Sequence, residues 1–569
     1  MVATKVGSET LLVAGTVCLA AHRLAYTDRA AECLGLIALL LAPLSHTQLP
    51  PKCNLSLLRS TDARHAPLVG LALIPVLLAA LSVSTVGDHA NYCTLFLALS
   101  LVAAAAKANL CLRGSLGTAT ALITAVAALL SLGSNSQGLA LSGSILLALS
   151  VAVLSALTLI TCLRVLPRCF TLSEAMIVSD FLVLGCCDAV FATVAKTTND
   201  LPGIFYLKRI PIQTLMSTLI LGMLLIGLAS CPILRQLQYH EERLAKLVAE
   251  KDDKMTSSCD NNRIVRLSFM FFGTAAGLVL ALIRPWTMLL LDGADPFLWL
   301  VKFVLEKPFV RAGLLGYWAV LMTLGVFFAV RWFGQDADSK KDTSSSKARG
   351  DASALSLKEL VYLNFKRKYY HALVVAMFVP GYLIDPDLMH LSFSVAFSVL
   401  ILTEYIRVFR VWPIGHHVHA FLRGFLDSKD QGIVILSHIY LLVGCALPVW
   451  INRIHISAPT PAGLLGILAL GVADACASVA GYRWGRSRWP RRAKTVEGTA
   501  AFVASMVGSL GFCAAFAAVD MGGAGLALVG KIFAVAIFLG FLEAASAQND
   551  NLVLPICGIS LWYLLTFGK

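Results

Sequence analysis

The most informative stretch of this chain for its fold and function is Gly471–Gly498, GVADACASVAGYRWGRSRWPRRAKTVEG. It joins a single carboxylate in an apolar run, two glycines four residues apart, a cluster of cations and a Lys-Thr-x-Glu-Gly ending. The rest of the chain is mostly apolar and does not repeat this combination. The stretch predicts a nucleotide-phosphate site at a membrane surface.

The composition around this stretch is that of a membrane protein. The 569 residues are 58% hydrophobic and 14% charged, and the mean hydropathy is +0.77. These values exclude a soluble globular protein with a polar surface. Apolar runs of about 17 to 25 residues recur, and each is long enough to cross the hydrocarbon layer as a helix. None alternates as a strand does. We predict an all-α, polytopic integral membrane protein with roughly 15–17 transmembrane helices.

Composition divides the chain into five segments. They are a multi-span region 1–233, a polar loop 234–264, further spans 265–334, a disordered cytoplasmic linker 335–360, and a catalytic multi-span domain 361–569. The mixed-charge part of the polar loop predicts a helical extension followed by a loose loop. The linker is rich in Ser, Asp and Lys, which predicts disorder.

The net charge of +13 lies in the loops between predicted spans. There it indicates orientation and attraction to anionic lipids or ligands more than binding of nucleic acid, and no nucleic-acid partner is predicted. If each span of the last domain crosses once, the segments 335–370, 409–431, 482–497 and 547–551 share one side and carry nearly all Lys and Arg. The positive-inside rule places that side, and the 471–498 stretch with it, in the cytoplasm.

The cations of the stretch suit phosphate. Between Tyr482 and Lys494 lie Arg483, Arg486, Arg488, Arg491 and Arg492, with no acid among them. Arginine binds phosphate oxygens bidentately, and lysine supplies a point charge near the terminal phosphates. The alternative is a positive anchor that only fixes orientation. Gly481 and Gly485 would let backbone N–H groups approach a phosphate, although this spacing is also an ordinary helix-packing pattern.

Asp474 lies in the apolar run 464–480, about two turns below the cations. An unpaired charge there costs several kcal/mol, so the carboxylate needs a partner. A divalent cation that bridges it to phosphate is one solution, and a salt bridge to an arginine is the other. On the same predicted face, Glu543 and Asp550 are seven residues apart; if the helix continues between them, they share a helix face that could hold a metal or position a hydroxyl group.

The residues resemble a known family. The pattern Asp474-x-x-Ala477-Ser478-x-x-Gly481-x-x-x-Gly485, Arg488-Trp489-Pro490 and Lys494-Thr495-x-Glu497-Gly498 is similar to the cytidine-nucleotide site of dolichol kinases. Flanking strings such as Arg367-Lys368-Tyr369-x-His371 and Asp550-Asn551-Leu552 extend the resemblance over Tyr362 to Trp562. Two positions depart from the family pattern: Ala473 replaces a glycine, and Ala493 replaces the first of two lysines, for which Arg491 or Arg492 is a substitute.

The resemblance implies a reaction and a set of roles. The reaction transfers the γ-phosphate of CTP to dolichol at the endoplasmic reticulum membrane and gives dolichyl phosphate, the lipid carrier of protein N-glycosylation and related glycosylation. A divalent cation, Mg²⁺ or Ca²⁺, would be held by Asp474, Glu497 and Asp550. The catalytic residues would be Asp474, Lys494, Glu497 and His371, with Asp474 or His371 as the base. Nucleotide binding would involve Gly481, Gly485, Arg486, Arg488, Arg491, Arg492, Lys494, Thr495 and Val496.

Two other readings stay open at this point. One is a CTP-dependent cytidylyltransferase that makes a CDP-lipid, and the other is a membrane transporter whose basic loop binds anionic lipid. The sequence identifies no protein partner.

Overall fold

A computed structural model describes most of the chain. Outside the described residues are 1–7, 28, 51–52, 54, 60–66, 136–140, 199–204, 206, 251–253, 334–356, 424–428, 456–457, 491, 493, 517–524 and 567–569. Nearly all of the predicted linker 335–360 therefore lies outside them. Its last residues, from Leu357 onward, begin a helix.

The described residues form helices almost throughout. The first part contains α1 Ser8–Tyr26, α2 Ala30–Leu39, α3 Pro67–Ser84, α4 Asp88–Cys111, α5 Ser115–Asn135, α6 Leu141–Val165, α7 Leu172–Thr197, α8 Pro211–Ala229, α9 Cys231–Glu250, α10 Lys254–Leu278, α11 Arg284–Leu290, α12 Pro296–Glu306 and α13 Pro308–Phe333. The second contains α14 Leu357–Ile384, α15 Pro386–Val408, α16 Gly415–Arg423, α17 Leu436–His455, α18 Pro461–Leu468, α19 Asp474–Trp484, α20 Val496–Phe516, α21 Gly525–Ala545 and α22 Asp550–Leu564. Wide π-helical turns at Val279–Ile283 and Ala469–Ala473 join α10 to α11 and α18 to α19.

The prediction of an all-α polytopic membrane protein is confirmed. The strands among the described residues are two short antiparallel segments, His46–Thr47 and Leu112–Arg113. Twelve of the described helical segments are long and apolar enough to cross a bilayer, and four apolar helices are shorter. The predicted 15–17 spans exceed the twelve because length and composition exclude the shorter helices, among them α17 and α22.

In the polar segment 234–264, α9 forms the predicted helical extension, whereas α10 occupies most of the part that was predicted to be a loose loop. Apolar residues three and four apart within this charged stretch give each helix one buried stripe. Leu234 and Leu237 of α9 pack with Ile264, Leu267 and Phe271 of α10 in one hydrophobic cluster. Burial of that stripe favours helix where the charged residues alone indicate a loop.

The chain divides into two compact units, and neither is continuous in sequence. Unit 1 comprises residues 1–296, 391–448 and 537–569, and unit 2 comprises residues 297–390 and 449–536. Among the twelve candidate spans, α3 and α4 of unit 1 are the most enclosed, with 83% of their apolar stretch buried. In unit 2, α14 carries His371, and the continuous segment α18–α19 carries Asp474.

Helix α14 is fixed against α13 by side chains that satisfy its interrupted backbone. Pro380 lacks an N–H group, so the Ala376 carbonyl four residues earlier loses its helical donor. The Tyr317 hydroxyl donates to that carbonyl at 2.7 Å, and the Trp318 indole donates to the Met377 carbonyl at 2.9 Å. These bonds hold α14, and with it His371, in place within unit 2.

Candidate functional site

Asp474 is the first residue after the wide turn Ala469–Ala473, which lies inside an otherwise regular helical segment. Single π-turns of this kind occur often at functional sites. Gly471 in this turn touches α14, because a Cβ on it would lie 2.4 Å from Val375 Cγ2 and 3.6 Å from the His371 carbonyl oxygen. The glycine therefore permits the close approach that brings α14 beside Asp474.

The approach places an imidazole beside the carboxylate. His371 Nδ1 lies 3.7 Å from Asp474 Oδ2. The histidine side chain is 9% exposed and the aspartate side chain 25% exposed, so the aspartate is the more accessible of the two. A carboxylate beside an imidazole is an arrangement suited to taking up a proton from a hydroxyl group.

Beyond α19 the chain forms a short hairpin, in which Ser487–Trp489 pair with Lys494–Val496; it carries Arg488, Arg492 and Lys494. Arg488 and Thr495 form an antiparallel bridge. The Trp489 N–H donates to the Lys494 carbonyl at 3.0 Å, and the Val496 N–H donates to the Ser487 carbonyl at 2.8 Å. The Trp489 indole donates to the Thr499 hydroxyl at 2.9 Å. The hairpin is therefore attached to the first turn of α20.

Thr495 and three glycines form the contact between α19 and α20. The Thr495 hydroxyl accepts the Gly498 N–H at 3.1 Å, which caps α20. A Cβ on Gly485 would lie 2.2 Å from the Gly481 carbonyl, and one on Gly498 would lie 2.9 Å from the Ala477 carbonyl. Gly498 thus allows the backbone of α20 to approach that of α19, whereas the Gly485 contact is with the backbone of its own helix and permits the tight end of α19. Since Gly481 is seven residues after Asp474, the aspartate lies about 10 Å deeper along α19.

Glu497 has a role in the hairpin that sequence reasoning missed. Its two carboxylate oxygens accept the Ser487 N–H at 3.0 and 3.3 Å. The carboxylate therefore joins the start of α20 to the start of the hairpin. Its predicted roles in catalysis and metal binding stay predictions. The spacing of Ser487 and Glu497 gives no helical or strand periodicity, so only the folded hairpin reveals the contact.

The cations of the stretch differ in exposure. Arg483, Arg486 and Arg488 are exposed, whereas Arg492 and Lys494 are half-buried. Arg483 lies over the Trp484 ring, 5.8 Å from its centroid. Val496 is 41% exposed as the first residue of α20. Arg491, which was predicted to contact the nucleotide, lies outside the described residues.

Asp550 belongs to unit 1, at the N-terminus of α22. Its Oδ2 lies 3.6 Å from Lys429 Nζ, a contact that was not predicted. Among the residues that the structure describes, no three His, Cys, Asp or Glu side chains form a group able to hold a metal ion. The predicted metal ligands divide between the units, with Asp474 and Glu497 in unit 2.

These features define a class: a polytopic helical membrane protein with a carboxylate–imidazole pair beneath a cation-bearing hairpin. Comparison with known proteins then identifies the family. The family model described as dolichol kinase matches residues 96–447, which is more than half of the chain. The chain belongs to the dolichol kinase family. The stretch Gly471–Gly498 lies beyond the matched residues.

Individual relatives agree with the family. The chain is 32% identical over 412 residues to "Dolichol kinase EVAN" of Arabidopsis thaliana, covering 69% of this chain and 64% of the relative. It is 32% identical over 406 residues to "Dolichol kinase" of Homo sapiens, with 69% and 65% covered. The match to "Dolichol kinase sec59" of Schizosaccharomyces pombe is 32% over 286 residues, with 50% and 53% covered. The chain thus spans less than two thirds of the length of these relatives. No solved structure matches it.

Proposed function

We propose that this protein transfers the γ-phosphate of CTP to dolichol and gives dolichyl phosphate for protein N-glycosylation and related glycosylation. The reaction takes place at the endoplasmic reticulum membrane, with the nucleotide site facing the cytoplasm. The observation that carries the proposal is the His371–Asp474 pair at 3.7 Å, which lies at the start of α19, about three helical turns before that helix ends and the cation-bearing hairpin follows. Family membership supports the acceptor, since the relatives are named dolichol kinases.

The hairpin provides the groups that bind the triphosphate. Exposed Arg486, just before the hairpin, and exposed Arg488 within it offer forked donors for phosphate oxygens. Lys494 offers a point charge near the phosphoryl group that is transferred. The bonds of Glu497 and Thr495 fix the hairpin before the nucleotide binds. Such preorganisation matters because positioning and electrostatics supply most of the rate enhancement in phosphoryl transfer.

A divalent cation fits the donor set around Asp474. Mg²⁺ is commonly held by one or two carboxylates together with substrate phosphates, not by a cage of protein ligands. Asp474, with an accessible carboxylate, meets this requirement, and Glu497 and Asp550 stay predicted ligands. When bound, the cation would neutralise charge that develops on the phosphate oxygens.

The acceptor hydroxyl requires a base. Asp474 and His371 are both candidates, because they lie 3.7 Å apart and a hydroxyl oxygen beside the pair would come within hydrogen-bond reach, about 2.6–3.2 Å between heavy atoms, of either. The prenol enters from the membrane, where its chain is soluble, and presents its hydroxyl group to this pair.

The test uses the full-length protein in detergent with dolichol and CTP labelled in its γ-phosphate. A kinase leaves that label on the lipid, whereas a cytidylyltransferase releases it as pyrophosphate. We expect label on the lipid, with transfer abolished in Asp474→Asn and retained in the matched variant Asp387→Asn at the start of α15. Wild-type turnover by Asp474→Asn would contradict the assignment of the site, and absence of lipid label in the wild type would contradict the kinase activity.

A further inference from the structure

One face of α14 contacts the segment α18–α19 at three levels within unit 2. His371, Val375 and Tyr382 are spaced four and seven residues apart, which places them on the same side of a helix. His371 belongs to the carboxylate–imidazole pair, and Val375 meets Gly471. Tyr382 meets Gly463, where a Cβ would lie 2.2 Å from the tyrosine hydroxyl oxygen. Since later residues of α14 meet earlier residues of α18–α19, the two segments run antiparallel.

The hydroxyl group of Tyr382 is the centre of a buried hydrogen-bond network. It accepts the Thr460 N–H at 3.0 Å and the Asn452 side-chain amide at 3.0 Å, and it donates to the Thr460 carbonyl at 3.3 Å. The Thr460 hydroxyl donates to the Asn452 side-chain carbonyl at 2.7 Å. Tyr382 and Asn452 are each 1% exposed. The network therefore uses the hydroxyl group both as donor and as acceptor, away from water.

The network joins the same two segments that carry the reactive pair. Thr460 directly precedes α18, which continues through the wide turn into α19 at Asp474. Tyr382 lies eleven residues after His371, about 16 Å farther along α14. In lipid, apolar contacts between helices compete with similar contacts to lipid, so they set the axial register only weakly. A buried donor without its acceptor is costly, so the bonds of Tyr382 favour one register.

We propose that Tyr382 is a positioning residue, whose hydroxyl group fixes the register of α14 against α18–α19 and thereby the separation of His371 and Asp474. The effect on the reaction rate rests on the proposed kinase function, whereas the effect on the register does not. Tyr382 acts on the pair through the two helical segments. Because small displacements of reacting groups reduce the rate strongly, loss of this register should slow the transfer.

The first test compares two variants that each lose one buried hydrogen-bonding group. Tyr382→Phe keeps the ring and removes the hydroxyl group. The matched control Trp450→Phe removes the indole N–H that donates to the His390 carbonyl at 3.2 Å, a bond that joins α17 to α15 instead of α14 to α18. We expect Tyr382→Phe to lower kcat per folded molecule roughly tenfold and to leave KM for CTP nearly unchanged, because the cations lie on the hairpin beyond α19. Trp450→Phe should lower the yield of folded protein and retain kcat per folded molecule.

The second test measures the register without any reaction. A Cβ at position 471 would lie 3.8 Å from Val375 Cβ, which is within the range of about 3.5–4.5 Å that disulfides require. The double variant Val375→Cys/Gly471→Cys should therefore form a disulfide on mild oxidation, identified by mass spectrometry of the linked peptides. Addition of Tyr382→Phe should slow formation of this disulfide severalfold, and addition of Trp450→Phe should leave its rate unchanged.

Asn452→Leu provides a further variant if Tyr382→Phe fails to fold, because it removes a donor to the same hydroxyl group and should slow both disulfide formation and transfer. Equal rates of disulfide formation with Tyr382→Phe and with Trp450→Phe would overturn the inference, as would wild-type kcat in Tyr382→Phe. Absence of the disulfide in the double variant would also overturn it. Slower disulfide formation with Tyr382→Phe alone supports the register role even if the wild type transfers no phosphate, a result that would contradict the kinase function only.

Discussion

Replacement of Gly471 by alanine tests whether the separation of α14 from Asp474 governs the reaction. The new Cβ would lie 2.4 Å from Val375 Cγ2, whereas ordinary contacts lie between 3.4 and 4 Å. Val375 has little χ1 freedom in a helix because it is β-branched, so relief of the contact separates the two helices by up to about 1 Å in a packed interior. His371 belongs to α14, so its distance of 3.7 Å from Asp474 increases.

The stability and activity effects of this change differ in size. Overpacking costs about 1–3 kcal/mol, and alanine in a helix recovers about 0.5–1 kcal/mol relative to glycine. The net loss of about 0–2.5 kcal/mol leaves an ordinary protein folded. A misplacement of about 1 Å, in contrast, reduces the rate of catalysis on the order of a hundredfold. We expect Gly471→Ala to fold and to lose most of its kcat.

The assay is CTP-dependent phosphorylation of dolichol by purified protein, normalised to the folded fraction. The matched control is Val375→Ala, which removes the methyl group that the new Cβ meets. The double variant Gly471→Ala/Val375→Ala should recover most of the activity, since the collision is absent. Wild-type kcat in Gly471→Ala, or failure of the double variant to recover, would refute the geometric explanation.

Three further outcomes follow from the hairpin. Thr495→Val removes the cap of α20, so it should cost about 1 kcal/mol of stability and raise KM for CTP. Thr495→Ser keeps the hydroxyl group and should retain the wild-type stability and KM. Thermal unfolding and initial rates of transfer measure the two effects. Glu497→Ala should raise KM for CTP more than Glu497→Gln does, because glutamine keeps an acceptor for the Ser487 N–H. Equal KM values for the two variants in titrations of CTP would show that the Ser487 contact does not govern nucleotide binding. Lys494→Met should lower kcat more than Arg483→Met does, because Arg483 lies over Trp484 at the edge of the stretch; equal losses in labelled-CTP assays would contradict a specific role for the lysine.

The sequence predicts the fold class well because lipid imposes a strong constraint. Apolar runs long enough to cross a bilayer can only be helices when no strand pattern is present. The polar segment 234–264 was less predictable, because its charges conceal the apolar stripe that α9 and α10 bury together. The helical structure of that region depends on contacts between the two helices and not on the composition of the segment.

The candidate site was predictable in part for similar reasons. Asp474 is identifiable because a carboxylate in an apolar run is costly, and Thr495 because it precedes a span. His371 was assigned only through family resemblance, since an interfacial histidine carries no periodic signal. The contact between Tyr382 and Thr460 joins residues 78 positions apart, and contacts at such separations leave no trace in a single sequence.

The wide turn Ala469–Ala473 has a consequence for the comparison of related chains. A π-turn holds about one residue more than an α-helical turn of the same rise. Loss of that surplus residue would restore a regular helix and rotate Asp474 by about 100° about the helix axis, away from the histidine. Alignments of homologues across this turn should therefore permit a gap of one position, and a homologue that lacks the extra residue should also lack the aspartate–histidine pair.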